Sequence, residues 1–167
     1  MGFLVMDEAF DEWRQGKVLY SYHQYYDQWA EEDLVSMLRR DRNHPSIVLW
    51  SVGNEVPEQS RPEGAEMLRR LIEIVRREDP TRPITSACDH MNSPTPTTLE
   101  FAGLLDVVGY NYMAGRYAGD QARFPGRVIA GTETWGHMMF KFWKETERFP
   151  HVIGDFVWTA IDYLGEA

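Results

Sequence analysis

The chain has 167 residues, enough for one domain with a real core, and its composition is that of a globular protein. Its net charge of −9 argues against nucleic acid and anionic membrane surfaces as partners, because both call for basic patches. No run of 18 apolar residues could span a membrane, and the single cysteine, Cys88, excludes an internal disulfide. The first six residues lack the basic start and the length of a signal peptide, which leaves the compartment undetermined.

Short apolar runs alternate with helical patterns along the chain. Strands are predicted over residues 2–6, 47–52, 83–86, 106–110, 128–131 and 151–159. Helices are predicted over residues 27–40, 60–79, 99–104 and 136–149. Ser60 and Glu63 form a capping-box pattern at the start of the second helix, and Phe140 and Trp143 are expected to face inward from the last one.

Six strands with intervening helices indicate a parallel sheet built from βαβ units. A doubly wound sheet and a (β/α)8 TIM barrel both fit this alternation. Polar residues follow several different strands, and such residues converge only at the top face of a barrel, which favours the barrel. A complete barrel has eight strands, so residues 1–167 are expected to form a single domain that is the C-terminal three quarters of a TIM barrel.

Two of the apolar strands lead directly to a glutamate. Residues 46–54 precede Glu55, and residues 127–132 precede Glu133. A carboxylate at the exit of a buried strand contributes little to packing but is well placed for chemistry. The sequence therefore predicts a pair of carboxylates acting on one bond.

The long motif over residues 41–55 resembles the acid/base signature of glycoside hydrolase family 2, which contains β-galactosidases and β-glucuronidases. Residues 2–10, 106–112, 131–133 and 156–163 look like the third, sixth, seventh and eighth barrel strands of that family. The resemblance covers essentially the whole chain and implies barrel strands three to eight. It also implies that strands one and two, and the β-sandwich domains that precede the barrel in this family, are missing from this sequence.

The resemblance implies a retaining, double-displacement mechanism. In such a mechanism Glu55 is the general acid/base and Glu133 is the nucleophile that forms a glycosyl-enzyme. Asn54 matches the family asparagine that hydrogen-bonds the sugar 2-hydroxyl. Tyr112 matches the tyrosine that hydrogen-bonds the nucleophile, with Tyr110 as its rival on the opposite side of the strand.

Three further expectations concern residues around this pair. Trp158 matches the platform under the sugar ring, and the peptide bond after this tryptophan is often cis in related enzymes. Asp7, at the mouth of the first strand, is expected either to bind a sugar hydroxyl or to pair with Arg42. The histidines show no metal-ligand spacing, so neither a metal nor another cofactor is predicted.

The expected substrate is a carbohydrate with a terminal β-D-galactoside, because residues 156–166 look most like bacterial β-galactosidases and no Asn-x-Lys motif of β-glucuronidases occurs in the sequence. Relatives that act on β-glucuronides or β-mannosides are the nearest alternatives. A truncated, non-catalytic barrel fragment or a carbohydrate-binding protein that uses the 13% aromatic residues is the alternative from another class. With two strand edges open, the 167 residues alone are expected to show little activity and to form oligomers.

Overall fold

The computed structural model describes residues 2–159, so residues 160–166 of the predicted eighth-strand motif lie outside the described residues. Six parallel strands pair in chain order and curl into a half-barrel, as expected of an incomplete TIM barrel. The strands are β1 (Val5–Glu8), β2 (Ile47–Asn54), β3 (Ile84–Cys88), β4 (Val108–Asn111), β5 (Ile129–Trp135) and β6 (Val152–Trp158). The helices are α1 (Tyr26–Asp41), α2 (Gly64–Glu78), α3 (Pro96–Ala102), α4 (Tyr117–Arg123) and α5 (Met139–Arg148).

The core lies in two layers on either side of the sheet. The larger layer joins helix residues such as Leu34 and Leu68 to strand residues such as Trp50 and Ile84. The smaller layer, centred on Leu49, contains no helix residue and lies on the concave face. The adjacent β2 residues Leu49 and Trp50 therefore pack in opposite directions, as successive residues of a strand do.

The described sheet has two open edges, since β1 and β6 each pair on one side only. Between them lies an apolar opening of about 940 Å³ that is lined by Phe3, Leu4, Trp143 and Ile153, among others. Phe3, Leu4 and Ile153 are all more than half exposed at this opening. Within residues 2–159, no helix is long and apolar enough to cross a bilayer.

The predicted capping box of α2 is wrong. Ser60 belongs to a separate 3-10 turn (Pro57–Ser60), and its hydroxyl donates to the Pro57 carbonyl oxygen at 3.3 Å. The residue before a proline avoids the helical conformation, and Arg61, which precedes Pro62, is extended with ψ 153°. The helix therefore begins only at Gly64, and the side chain of Glu63 makes no capping bond.

The predicted inward face of α5 is also wrong. Phe142 and Thr146 are the buried residues of this helix, whereas Phe140 is 73% exposed and Trp143 is 47% exposed. Apolar residues lie on more than one side of the helix, so periodicity alone does not select the face that packs on the sheet. Trp143 instead borders the apolar opening between the edge strands.

Close approach of two strands requires a glycine in β4. A Cβ on Gly109 would lie 2.5 Å from the backbone oxygen of Ser86 and 2.7 Å from Thr132 Cγ2. We expect Gly109→Ala to lower the free energy of unfolding by about 1–3 kcal/mol, measured by urea denaturation. Gly119→Ala is the matched control, because a Cβ there meets nothing within 4 Å and alanine favours the helix. Equal stability of the two variants would contradict the packing argument.

Candidate active site

The carboxyl ends of β2, β4 and β5 meet at one edge of the sheet. Glu55 follows β2, Asn111 ends β4, and Glu133 lies within β5. Both Glu55 (φ 46°) and Tyr112 (φ 59°) have left-handed backbone conformations, which cost a non-glycine residue of order 1–3 kcal/mol. Backbone bonds hold both turns, from Glu55 N to Ala87 O (2.8 Å) and from Tyr112 N to Glu133 O (2.7 Å). Strain at the ends of two strands on the same edge of the sheet, β2 and β4, is typical of a functional site.

Asn111 connects the whole cluster. Its side-chain nitrogen donates to Asn54 Oδ1 (2.9 Å), Glu55 Oε1 (2.9 Å) and Glu133 Oε2 (3.2 Å). Its side-chain oxygen accepts a bond from Thr132 Oγ1 at 2.7 Å, which fixes the orientation of the amide. Since the amide carries only two hydrogens, the three acceptors share them. The residue is buried, so it is a rigid bridge between the two predicted catalytic carboxylates.

This bridge limits the separation of the two glutamates. Because both bonds end on one nitrogen atom, Glu55 Oε1 and Glu133 Oε2 are no more than about 6.1 Å apart. Carboxyl separations of about 5–5.5 Å are typical of retaining glycosidases, and about 6.5–9.5 Å of inverting ones. The upper limit on this oxygen–oxygen distance is compatible with the separation found in retaining glycosidases.

Opposing influences act on the carboxyl group of Glu133. Its pKa is raised, first by burial and then by the negative charge of Glu55. The Tyr112 hydroxyl donates a hydrogen bond to Glu133 and acts in the opposite direction, as does the positive charge of Lys17. Tyr112 thus favours the ionised form of Glu133. Its rival Tyr110 points elsewhere and donates to Asp120 Oδ2 at 2.5 Å.

Asn54 lies at the edge of the same cavity. Its side-chain nitrogen donates to Asp11 Oδ1 at 3.1 Å, and its backbone oxygen accepts a bond from Lys17 Nζ at 2.8 Å. The cavity has a volume of about 670 Å³ and is lined by Asn54, Glu55, Glu133 and Trp158, among others. The structure therefore brings four of the six predicted site residues to one cavity, and Tyr112 contacts it through Glu133.

Asp7 does not join this cluster. Its carboxyl group lies beside Asp41 and is not among the residues that line the cavity. The proposed partner Arg42 is engaged elsewhere, because it donates to the backbone oxygen of Glu78 at 2.8 Å. Burial, followed by the charge of Asp41, raises the pKa of Asp7. Successive residues of a strand point to opposite faces, and Asp7 points away from the cavity.

The next residue, Glu8, occupies the position that the sequence suggested for Asp7. It lines the cavity and accepts a hydrogen bond from Ser51 Oγ at 2.5 Å. Glu8 is exposed at the mouth of the cavity, but the protein around its carboxyl group displaces much of the water there, and this desolvation raises the pKa of Glu8 to about 7. The negative charge of Glu133 raises it further. Glu8 is thus a further carboxyl group in the cavity, beside Asp11, Glu55 and Glu133.

Aromatic side chains flank the cavity at the ends of β5 and β6. Trp158 is 42% exposed, and its peptide bond to Thr159 is cis, as the family resemblance implied. Trp135 pairs with it in strand register and stacks on the Tyr112 ring with a centroid distance of 4.7 Å. Exposed aromatic faces beside paired carboxylates suit the stacking of a sugar ring.

The described residues contain no group of three or more His, Cys, Asp or Glu side chains that could hold a metal ion. The only cysteine, Cys88, is buried, and burial raises its pKa to about 12. A thiol with such a pKa stays protonated and is a poor nucleophile.

Sequence reasoning did not identify Asn111, Glu8 or Trp135 as site residues. The sequence contained a signal for each of them. Glu8 and Trp135 end strands that carry the predicted site residues Asp7 and Glu133. Asn111 ends the strand that directly precedes the predicted Tyr112. Their side-chain directions depend on strand register and on left-handed turns, which an apolar run does not reveal.

The fold and the paired carboxylates together define a glycosidase-type TIM barrel, and comparisons with known proteins identify the family. Residues 1–163 match the model of the glycosyl hydrolases family 2 TIM barrel domain. The chain belongs to this family.

Individual relatives agree with this assignment. A β-galactosidase from Bacteroides ovatus is 30% identical, with 99% of this chain and 28% of that protein aligned. A crystal structure of a family 2 member from Bacteroides cellulosilyticus is 44% identical, with a TM-score of 0.86 over 98% of this chain and 21% of that one. A putative β-glucuronidase from Formosa agariphila is 41% identical over 52% of this chain and 8% of that protein. The chain thus spans about a quarter of the length of the relatives that it matches throughout.

The central position of Asn111 has a measurable consequence. We expect Asn111→Ala to lower kcat/KM about 10- to 100-fold in the full-length protein, since hydrogen bonds to both catalytic carboxyl groups are lost. The acidic limb of the pH profile of kcat/KM should also move to higher pH. Loss of a donor removes stabilisation of the ionised Glu133 carboxylate and so raises its pKa.

Asn92→Ala is the control for this prediction, because Asn92 is exposed at the end of a short turn. A merely structural role of Asn111 would lower the urea midpoint without moving the pH profile. An unchanged profile in a folded Asn111→Ala protein would contradict the positioning role.

Proposed function

We propose that this chain is the catalytic part of a retaining exo-glycosidase that removes terminal β-D-galactosyl residues. The observation that carries this proposal is the bridge from Asn111 to both Glu55 and Glu133, which keeps one oxygen of each carboxylate within about 6.1 Å of the other. Membership of glycosyl hydrolase family 2 supports the same reaction class.

In the first step Glu133 attacks the anomeric carbon, and the bond to the leaving oxygen breaks as Glu55 donates a proton to that oxygen. The product is a covalent glycosyl-enzyme. In the second step Glu55 removes a proton from water, which displaces Glu133 and restores both carboxyl groups. The Tyr112 hydrogen bond keeps Glu133 ionised and aimed, and Trp158 provides a surface for the sugar ring.

Galactoside is the favoured substrate because the relative aligned over 99% of this chain carries the name β-galactosidase. A β-glucuronide is the second candidate, since relatives with that name include proteins from Formosa agariphila and Streptococcus agalactiae.

The working form of the site is a closed barrel. The described sheet has two unpaired edges and an apolar opening between them. We infer that two further strands of a longer protein pair with β1 and β6 and cover Phe3, Leu4 and Ile153. The sandwich domains of the family are expected beyond them.

A 2-deoxy-2-fluoro-β-galactoside tests the proposed function in the full-length protein. The electron-withdrawing fluorine slows both steps, and a good leaving group lets the glycosyl-enzyme accumulate. We expect peptide mass spectrometry to locate the label on Glu133. The corresponding glucuronide analogue is the comparison for substrate class. Labelling of another residue, or an inverted anomeric product, would refute the proposal.

A further inference from the structure

A second cavity shares Glu55 with the first one. It has a volume of about 380 Å³ and is lined by Glu55, Lys17, Arg61, Asp89 and His90, among others. Glu133 and Trp158 line the larger cavity but not this one. Because the general acid lies beside the leaving oxygen, a space that contacts the acid but not the nucleophile lies on the leaving-group side.

We propose that this second cavity binds a leaving group that carries a carboxylate or sulfate group, and that the Arg61 guanidinium recognises that anion. The proposal rests on the proposed function, since it uses Glu55 as the acid and Glu133 as the nucleophile. The proposal goes beyond that function because it specifies the class of leaving group, which is an acidic sugar.

The charges in the cavity distinguish Arg61 from its neighbours. Lys17 Nζ is engaged by Asp11 Oδ1 and by the backbone oxygen of Asn54, both at 2.8 Å. Asp89 Oδ1 contacts His90 Nδ1 at 2.6 Å and accepts a bond from the Gln59 amide at 2.5 Å.

The Arg61 side chain, by contrast, is exposed and forms no ion pair with any residue in 2–159. Arg61 is therefore a cation of the cavity lining that has no acidic partner among the described residues. A planar guanidinium binds carboxylate and sulfate oxygens through two parallel hydrogen bonds.

The backbone that carries Arg61 is held firmly. Its N–H donates to the Glu58 carbonyl oxygen at 2.9 Å, and Pro62 restricts it to an extended conformation. The buried Glu58 side chain accepts a bond from the backbone of Gln15 at 2.7 Å. The adjacent Ser60 carbonyl oxygen accepts a bond from Thr97 at 3.1 Å, at the start of α3. Arg61 thus projects from a fixed turn.

The alternative position for an acidic sugar is on the nucleophile side of the scissile bond, where Arg61 or Lys17 would have to recognise it. Arg61 does not line the cavity that contains Glu133. Lys17 lines both cavities, but its ammonium group already has two acceptors. The geometry therefore places the anion on the leaving group.

The test uses the full-length protein and two disaccharides with the same linkage, β-galactosyl-1,4-glucuronate and β-galactosyl-1,4-glucose. We expect the acidic disaccharide to have the higher kcat/KM, and Arg61→Ala to lower the acidic-to-neutral ratio about tenfold, mostly through KM. Arg61→Lys should recover part of the ratio, since lysine keeps the positive charge but lacks the planar guanidinium that forms two parallel hydrogen bonds. Arg148→Ala, an exposed arginine on α5, is the control and should keep the wild-type ratio.

Three outcomes separate this inference from the proposed function. Hydrolysis of both disaccharides with equal kcat/KM would overturn the inference and leave the function standing. A preference for the acidic disaccharide that survives Arg61→Ala would also overturn it. Failure to hydrolyse either galactoside would refute the proposed function itself.

Discussion

Replacement of Glu133 by alanine should lower kcat for an aryl β-galactoside by about 10⁴-fold or more in the full-length protein. Without this carboxylate no glycosyl-enzyme can form, and the remaining groups only bind the substrate and protonate the leaving oxygen. The variant should still fold, because Glu133 is half-buried and its loss removes only bonds from Asn111 and Tyr112. Steady-state kinetics with a urea melt checks both expectations.

Added azide provides a second readout for the Glu133→Ala variant. A small anion can occupy the space left by the missing carboxylate and attack the anomeric carbon directly, which gives the α-galactosyl azide. Glu100→Gln is the matched control, since Glu100 is an exposed acid on α3 that pairs with Arg69 at 2.7 Å. Activity above about 1% of wild type in Glu133→Ala would contradict the nucleophile role, and so would a β-azide product.

Replacement of Glu55 should give a loss that depends on the leaving group. For an alkyl galactoside or a disaccharide, we expect Glu55→Ala to lower kcat/KM about 10²- to 10⁴-fold, since the departing oxygen needs a proton. A dinitrophenolate leaves without protonation, so kcat/KM for a dinitrophenyl galactoside should change much less. The comparison isolates acid catalysis from binding, because the galactosyl part is the same in both substrates.

Water must also be activated in the second step, and that step loses its base in the Glu55 variant. Turnover of the dinitrophenyl substrate should therefore slow at the deglycosylation step, and azide should restore it with formation of the β-galactosyl azide. A uniform loss across all leaving groups would show that Glu55 does not act as the acid. Glu100→Gln again serves as the control variant.

Much of the architecture was predictable because its signals are local. The continuous apolar run at β2 is typical of a buried parallel strand, and the spacing of Leu34, Met37 and Leu38 defines the buried face of α1. The structure confirms both elements within one or two residues. Helix α4 (Tyr117–Arg123) was not predicted, because its Ala, Gly, Asp and Gln residues show no apolar periodicity.

The site was predictable only in part. Glu55 and Glu133 follow apolar strands, and the motif around Glu55 is long enough to identify the family from the sequence. The distinction between Asp7 and Glu8 was not accessible, because a shift of one residue in a strand exchanges the two faces of the sheet. Strand β1 lies at Val5–Glu8 rather than over residues 2–6, and this shift determines which acid enters the cavity.

The sequence by itself therefore determined the family, the order of strands and helices, and the two glutamates, since each depends on residues that are contiguous along the chain. Only the tertiary structure decided what joins the glutamates. Asn111 and Glu55 are 56 positions apart, and their contact exists because β2 and β4 end at the same edge of a curled parallel sheet. The same curvature places Arg61 on one side of Glu55 and Glu133 on the other. Such contacts arise from strand register and side-chain direction in three dimensions, which no local pattern encodes.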